Sequence, residues 1–564
     1  MHKLLHNPVY FFLYSSKEKT KKPISMKKVL LFLSLFLMLN SLFSQFQINW
    51  QNCYGGSDTD RAFSIIPNNN GYLIIGYTAS NDGDISYTHG GSDYWVVQVD
   101  SIGNLLWGKT FGGSLSEALY HGFHVYNSTD IYLVGASESI DGDISYDPYN
   151  GEANLWVVRI TADGDIIWDR KVGSPIGLIY HKYGIPTNDG GVVLAAQADY
   201  LGGDISTYYG AYDGWIIKLD ENGNTEWDFS LGSSYIEHIN TLIQTSDGGY
   251  LLAAGGLPQG DGNILCETTN ESDAIVFKLD ANGNEEWQQC YGGSEDDNIY
   301  ALLELDNGYL YSAITESYDG DLVGAGFHGG GENKYDIWIV RADFEGNIIW
   351  SKCYGGTHSE SAYNLFKTTD GGFMIFGHTE SKNGDVSNNP SYAYSPSVWI
   401  FKIDSLGALI WEQCIGGGGT DRLHEGVYRK NENNFILAVD SRTQSPSGDF
   451  ECVNETGNDN REDFWVFEIS DTTTVNIAES INHVHKLKAY PNPAQNYVVL
   501  ELPPNTKKSK LYITNIYGEM ISELQILPQQ SQLRWNCENI LSGVYFYQTE
   551  IGGVVYRGKV LINK

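Results

Sequence analysis

The stretch RAFSIIPNNNGYLIIGYTASNDGDISYTHGGSDYWVVQVDSIGNLLWGKTFGG (residues 61–113) decides the fold. It contains four short segments that read as strands: RAFSII (61–66), YLIIGYT (72–78), DYWVVQVD (93–100) and LLWGKTFGG (105–113). Turn residues separate them, at Asn68-Asn69-Asn70-Gly71, around Asp82-Gly83-Asp84, and at Ile102-Gly103-Asn104. β-Branched and aromatic residues fit a pleated surface, and Gly and Asn supply turn conformations. The segment predicts one antiparallel sheet of four strands, a to d.

The unit recurs along the chain. Trp50, Trp107, Trp168, Trp227, Trp287, Trp350 and Trp411 stand 57 to 63 residues apart. A second phased series is Trp95, Trp156, Trp215, Ile275, Trp338, Trp399 and Trp465. Four strands in each of several such repeats is the pattern of a propeller blade, and no segment shows a helical period. The last unit has strands near 424–430, 434–441 and 463–470, but no Trp-bearing strand d follows Ile469. An orphan strand d, QINWQNCYGG (47–56), opens the body instead. The expected fold is all-β. It is a seven-bladed β-propeller, with the N-terminal strand completing the last blade, followed by a small Ig-like β-sandwich. Pairing the two ends would hide two sheet edges. Antiparallel order sends the b–c and d–a connections to one face and the a–b and c–d turns to the other. The long loops share the first face, where a ligand is expected.

Charge separates the chain into three parts. The formal net charge is -35; residues 1–45 contribute +6 and 486–564 contribute +4, which leaves -45 on the body. An acidic body repels phosphates and argues against nucleic acid. Met26-Lys27-Lys28 and the apolar run Val29–Leu39 read as a signal peptide, cleaved near Ser44 or Gln45. Residues 1–25 read as an upstream extension, and no stable membrane span is expected after cleavage. The domain scheme is 1–45 extension and signal peptide, 46–470 propeller, 471–485 linker, and 486–564 C-terminal domain. Seven Cys do not form a dense disulfide framework in a chain of 564 residues. Cys53, Cys290, Cys353 and Cys414 each follow a repeat Trp by three and read as small buried strand residues.

Candidate ligand or cation loops carry the DGD motif: Asp82 and Asp84, Asp141 and Asp143, Asp319 and Asp321, with weaker copies at Asp204, Asp261, Asp385 and Asp449. Clustered carboxylates suit Ca²⁺, but the spacing matches no EF-hand loop. Asx-type turns capping backbone N–H groups are the plainer account. No cofactor is expected, with Ca²⁺ the single candidate. Asp93, Asp213, Asp273, Asp336 and Asp463 each precede the strand-c aromatic, or Ile275, by two and point to a structural hydrogen bond. Gly324, Gly326 and Gly329 fit GxGxxG by spacing but precede no helix. His121 and His124 read as surface residues. No GxSxG, HExxH or P-loop occurs, so no catalytic residue is assigned. The charged residues that most break the repeat on strand a are His181 with Lys182 and His424 with Glu425.

After Ile469 the pattern changes to about seven short strands, including KLKAYPNP, NYVVLEL and GVYFYQTEI. Four ordered blocks stand out: Tyr490-Pro491-Asn492-Pro493, Ile516-Tyr517-Gly518, Leu541-Ser542-Gly543-Val544-Tyr545-Phe546 and Lys559-Val560-Leu561-Ile562. They resemble the type A C-terminal sorting domain of the type IX (Por) secretion system. The resemblance implies export by the type IX machinery, to the medium or the outer cell surface. Its sorting motif would rest on Tyr490, Pro491, Asn492, Pro493, Gly518, Gly543, Tyr545 and Lys559. The YGGS, DGGY and DGD blocks are similar to those of secreted propeller-repeat proteins in the same bacterial group. The expected role is a non-catalytic propeller binding a glycan, surface protein or cation through its acidic loop face. The rivals are a polysaccharide hydrolase or lyase with carboxylates in the channel, and an adhesin-like scaffold.

Overall fold

The computed structural model describes residues 46–69, 71–177, 183–266, 271–329, 334–392, 394–443, 446–451, 462–471, 487–503, 507–515, 520–551 and 554–564. The expected signal peptide lies outside the described residues, as does most of the expected linker. Among the described residues the chain is all-β, with one 3-10 turn at Gly320–Leu322. It divides after Asp471 into two compact units.

The first unit holds seven four-stranded antiparallel sheets. In the first, Asp60–Asn68, Gly71–Thr78, Asp93–Asp100 and Leu105–Phe111 pair in chain order. Five further sheets repeat that order as far as Ile415. The seventh takes strands a to c from Asp421–Asn431, Asn434–Ser441 and Asp463–Asp471. Its outer strand is Phe46–Tyr54, paired with Asp463–Asp471 from Phe46↔Asp471 to Tyr54↔Phe464. Strand a of each sheet packs on strand a of the next, and that of the seventh on that of the first. The arrangement is cyclic and propeller-like.

Two phased aromatic series explain why the sheets stack. Trp95, Trp156, Trp215, Trp338, Trp399 and Trp465 on strand c are almost wholly buried. Each buried indole contributes about 5 kcal/mol of apolar burial. Several of their N–H groups are satisfied on strand d: Trp156 donates to Asp169 at 3.0 Å, Trp215 to Asp228 at 3.1 Å, and Trp465 to Gln51 at 2.9 Å. The strand-d series instead lies half-buried under the c–d turn of the following sheet. A Cβ on Gly103 would stand 2.6 Å from the Trp50 ring, and one on Gly407 2.9 Å from Trp350. Both glycines are left-handed, at φ +84 and +76. Close approach and positive φ together require glycine there, so the GN turn and the Trp recur in phase.

The cysteine expectation needs correction. Cys353 and Cys414 are free and buried, but Cys290 forms a disulfide with Cys266, and Cys53 is also disulfide-bonded. The b–c loop of the fourth sheet folds back along strand d, bringing Cys266 within 6.3 Å of Cys290 between Cα atoms.

The second unit has two sheets. One orders Ala489–Tyr490, Tyr497–Glu501 and Gln532–Asn536. The other orders Met520–Ile526, Ser509–Thr514, Gly543–Ile551 and Val554–Ile562. Val498, Leu500, Leu511, Trp535, Tyr547 and Ile562 belong to their shared core.

Candidate functional site

Three structures recur where sheets meet: a loop clamp, a buried acid pair and a residue aimed at the hub. The clamp uses the DGD motif. The Asp84 N–H donates to the Gly55 carbonyl at 3.0 Å, and Asp84 Oδ2 accepts the Gly55 N–H at 3.2 Å. Asp82 Oδ1 accepts the Ser57 N–H at 2.6 Å. Asp143 grips Gly112 and Asp321 grips Gly292 in the same reciprocal way. Asp141 accepts from Ser114 and Asp319 from Ser294, each at 2.8 Å. Asp204, Asp385 and Asp449 repeat the grip on Gly173, Gly355 and Gly416, as does Asn263 on Gly232. Asp261 accepts the Ser234 N–H at 2.8 Å. These bonds tie each b–c loop to the connection that enters its sheet. The motif thus forms separate clamps, one per sheet, with no common cluster. Among the described residues no three His, Cys, Asp or Glu side chains are gathered as metal ligands.

Behind the clamp lies an acid pair that the sequence reading half caught. The strand-c aspartates Asp93, Asp213, Asp336 and Asp463 each leave Oδ1 buried and without a partner. Three accept a local N–H through the other oxygen: Asp93 from His89, Asp213 from Tyr209 and Asp336 from His328. Each faces a second buried acid, at the start of strand a in the next sheet. Asp93 Oδ1 and Glu117 Oε2 both lie 2.5 Å from the point a Gly112 Cβ would occupy, so they are at most about 5 Å apart. Asp463 and Asp60 meet over Gly55, Asp273 and Asp297 over Gly292, and Asp336 and Glu360 over Gly355. Asp213 and Glu237 complete five such junctions. Burial, then the neighbouring negative charge of Asp60, pushes Asp463 up to about 8. Burial likewise raises Asp273 and Glu360 to about 7. At two further junctions the strand-c position is neutral, Asn154 and Ser397. The strand-a acids carry a weak signal: at four of the five junctions an Asp or Glu stands four residues after the second glycine of a GG connection, and Glu237 stands four after Ser233 of a Gly-Ser one.

The hub is lined by strand a. In the first, second, fourth, fifth and sixth sheets one extra residue bulges from this strand: Phe63, Tyr120, Asn240, Tyr300 and Tyr363. A bulge re-aims the side chain it adds. The rings form an arc: Tyr120 to Phe63 at 5.5 Å, Phe63 to His424 at 5.4 Å, His424 to Tyr363 at 5.9 Å, and Tyr363 to Tyr300 at 5.5 Å. The seventh sheet departs from the pattern. Its ladder jumps from Leu423↔Val439 to Val427↔Leu437, leaving His424, Glu425 and Gly426 outside it. Glu425 Oε2 reaches His121 Nδ1 of the second sheet at 3.2 Å, passing over the first sheet. Tyr183 of the third sheet packs on His121 at 4.2 Å. Burial and then the Glu425 charge hold the Tyr183 phenol well above its usual range. His121 is therefore a buried hub residue, contrary to its reading as a surface one. His181 and Lys182 lie outside the described residues.

The loop face also carries tyrosines with no place in the core. Tyr87, Tyr146, Tyr318 and Tyr392, all in b–c loops, are 62% to 72% exposed. Gly324 and Gly326 lie in the same b–c loop as Tyr318, and among the described residues the next element after Gly329 is the strand Asp336–Ala342. Among the described residues the GxGxxG spacing has no following helix to serve.

In the second unit the sorting blocks at the two ends meet. Asn492 Oδ1 accepts the Leu561 N–H at 2.8 Å, and Asn492 Nδ2 donates to the Lys559 carbonyl at 3.3 Å. Tyr490, Pro491 and Pro493 flank that contact, and the Ala494 N–H donates to Leu561 O at 2.8 Å. Tyr545 is buried beside Trp535 and donates to the Leu541 carbonyl at 2.9 Å. Gly543 opens the strand that carries Tyr545, and Lys559 is exposed on the last strand. Gly518 lies outside the described residues.

The architecture defines an all-β, propeller-like body with a separate C-terminal β-unit. Residues 488–563 match the family described as "Secretion system C-terminal sorting domain". The chain is a secreted protein with a type IX sorting tail, directed to the outer cell surface. Over 208 residues the chain is 26% identical to the regulatory protein FlaEY of Caulobacter vibrioides, covering 35% of this chain and 21% of that protein. The chain thus spans about a fifth of that relative's length. Among solved structures, the phage phi92 endosialidase aligns with a TM-score of 0.34 and 10% identity, over 81% of this chain and 74% of that one. The α-L-arabinofuranosidase Arb93A of Fusarium graminearum aligns with a TM-score of 0.35 and 9% identity, over 59% of this chain and 93% of that one. Likenesses of this size carry no chemistry across.

Proposed function

We propose that the chain is a surface-displayed, seven-bladed β-propeller that binds glycans without catalysis through its loop face. In this reading residues 46–470 are the propeller, residues 471–485 the linker and residues 486–564 an Ig-like sandwich recognised by the type IX machinery. A signal peptide within residues 1–45 starts the route. One observation supports the loop face above all: four exposed tyrosines stand on b–c loops held by backbone-anchored clamps. Solvent-exposed rings on fixed loops suit the apolar faces of sugars. The aspartates Asp82, Asp84, Asp141, Asp143, Asp319 and Asp321 shape this face, and the acidic body selects against anionic polymers. A glycan array probed with the full secreted chain, with and without calcium, tests the reading. Saturable hits that fall at least tenfold with Tyr146→Ala or Tyr392→Ala are expected, unchanged by chelation. An array without hits, or hits indifferent to both substitutions, overturns it.

The hydrolase reading draws support from one feature, the Glu425–His121 pair that breaks the sevenfold pattern. Turnover of any array glycan that Glu425→Gln abolishes would establish that reading in place of the first.

A further inference from the structure

We propose that the hub is a second binding site, separate from the loop face, which takes one residue of a neutral carbohydrate. The first support is the arc of bulged rings. Phe63, Tyr120, Tyr300 and Tyr363 keep partial exposure although the strand residues beside them, such as Ala62 and Leu119, have none. A bulge that fixes a partly exposed ring at the same step in several sheets offers the hub a stacking surface.

The second support is an acceptor with nothing to accept. The fourth sheet presents Asn240 at this step instead of a ring. Asn240 is 9% exposed, and its Oδ1 is buried with no hydrogen-bond partner. Its amide nitrogen contacts Asn298 Oδ1 at 3.5 Å, and among the described residues the oxygen has no partner. An unmade bond at a buried acceptor costs about 1–3 kcal/mol, which a ligand hydroxyl would recover.

The third support is charge. Among the described residues, ion pairs near the hub include Arg61 with Asp440 at 2.9 Å and Glu462 at 3.0 Å, Arg442 with Glu462, and His121 with Glu425. A charged ligand would compete with these pairs. A sugar brings the complement of what remains: an apolar C–H face for the arc and hydroxyl donors for Asn240 and Glu425. Glu425 reaches this space only because His424-Glu425-Gly426 is extruded from its ladder.

The test uses the full secreted chain and a panel of neutral probes: cello-, xylo-, manno-, laminari- and chito-oligosaccharides. Binding is read by saturation-transfer NMR and titration calorimetry. At least one probe should bind saturably. Asn240→Ala and Tyr363→Ala should each weaken it tenfold or more, whereas Tyr363→Phe, which keeps the ring, and the loop-face change Tyr146→Ala should leave it within twofold. If Tyr363→Ala fails to fold, Asn240→Ala and Tyr120→Ala carry the comparison. A panel with no binder overturns the hub site. So does a bound probe insensitive to Asn240→Ala, and if that probe is lost with Tyr146→Ala the loop-face reading alone survives.

Discussion

Replacing Asp463 with Asn should make the first unit less sensitive to alkali, by an amount that follows from its junction. Asp463 and Asp60 meet over Gly55; burial with the facing Asp60 charge pushes Asp463 up to about 8, and burial pushes Asp60 up to about 6. An aspartate in the unfolded chain ionises near pH 4. Between these limits the folded state keeps a proton that the unfolded state releases. The stabilisation is complete below about pH 4 and is lost as pH rises toward 8. For Asp463 alone the slope is about 1.4 kcal/mol per pH unit, or about 4 kcal/mol between pH 5 and 8. An Asn at this position has a precedent in the molecule. Asn154 stands at the matching step of the second sheet, where its Oδ1 accepts the Ser174 N–H at 2.9 Å and its Nδ2 donates to Ser174 O at 3.1 Å. Urea denaturation followed by Trp fluorescence at pH 5, 6, 7 and 8 measures the effect. The native and Asp463→Asn proteins should be closest at pH 5 and diverge steadily, the variant becoming the more stable. Parallel stability lines across that range would refute the paired-acid account.

Other substitutions test separate parts of the fold. Replacing both Cys266 and Cys290 with Ser opens a loop whose ends are 24 residues apart and should cost about 3 kcal/mol, read as a lower urea midpoint. Gly407→Ala would force a left-handed alanine to within 2.9 Å of the Trp350 ring. It should cost about 2–3 kcal/mol and shift the Trp emission, whereas Gly371→Ala, also left-handed but with open space around it, should cost about 1 kcal/mol with no spectral change. Asn492→Ala removes the acceptor that joins the first and last sorting blocks. The full chain should then accumulate inside the cell, measured by fractionation and immunoblotting against the culture medium.

Strand content was legible because two rules coincide in each unit: short apolar, aromatic-rich runs set the strands and a glycine-asparagine turn separates the outer pair. The Trp phase also exposed the orphan Phe46–Tyr54 strand, since a Trp-bearing strand stood at the front and one was missing at the back. The DGD loops gave a clear turn signal, and the clamp they form is backbone chemistry that local sequence encodes. What sequence hid was contact across sheets. Asp60, Glu117 and Asp297 look like ordinary strand openers until the fold sets each against an aspartate of the preceding sheet. His121 and Glu425 are 304 positions apart, and only the extra bulge in the seventh sheet joins them. The Cys266–Cys290 bridge was missed for the opposite reason, because it is local to one sheet.

The closing strand also governs how the molecule carries load. A protein held at the cell surface by its tail is pulled through Asp471, where the first unit ends. Had strand d of the seventh sheet been supplied from the C-terminal side, the pull would fall on an edge strand, which peels one bond at a time. Phe46–Tyr54 takes that outer place instead, so the tail leaves from Asp463–Asp471, an interior strand with a ladder on each side. Tension at Asp471 must work against both ladders and against the buried Trp465. The seam thus turns a potential tear line into a reinforced mooring.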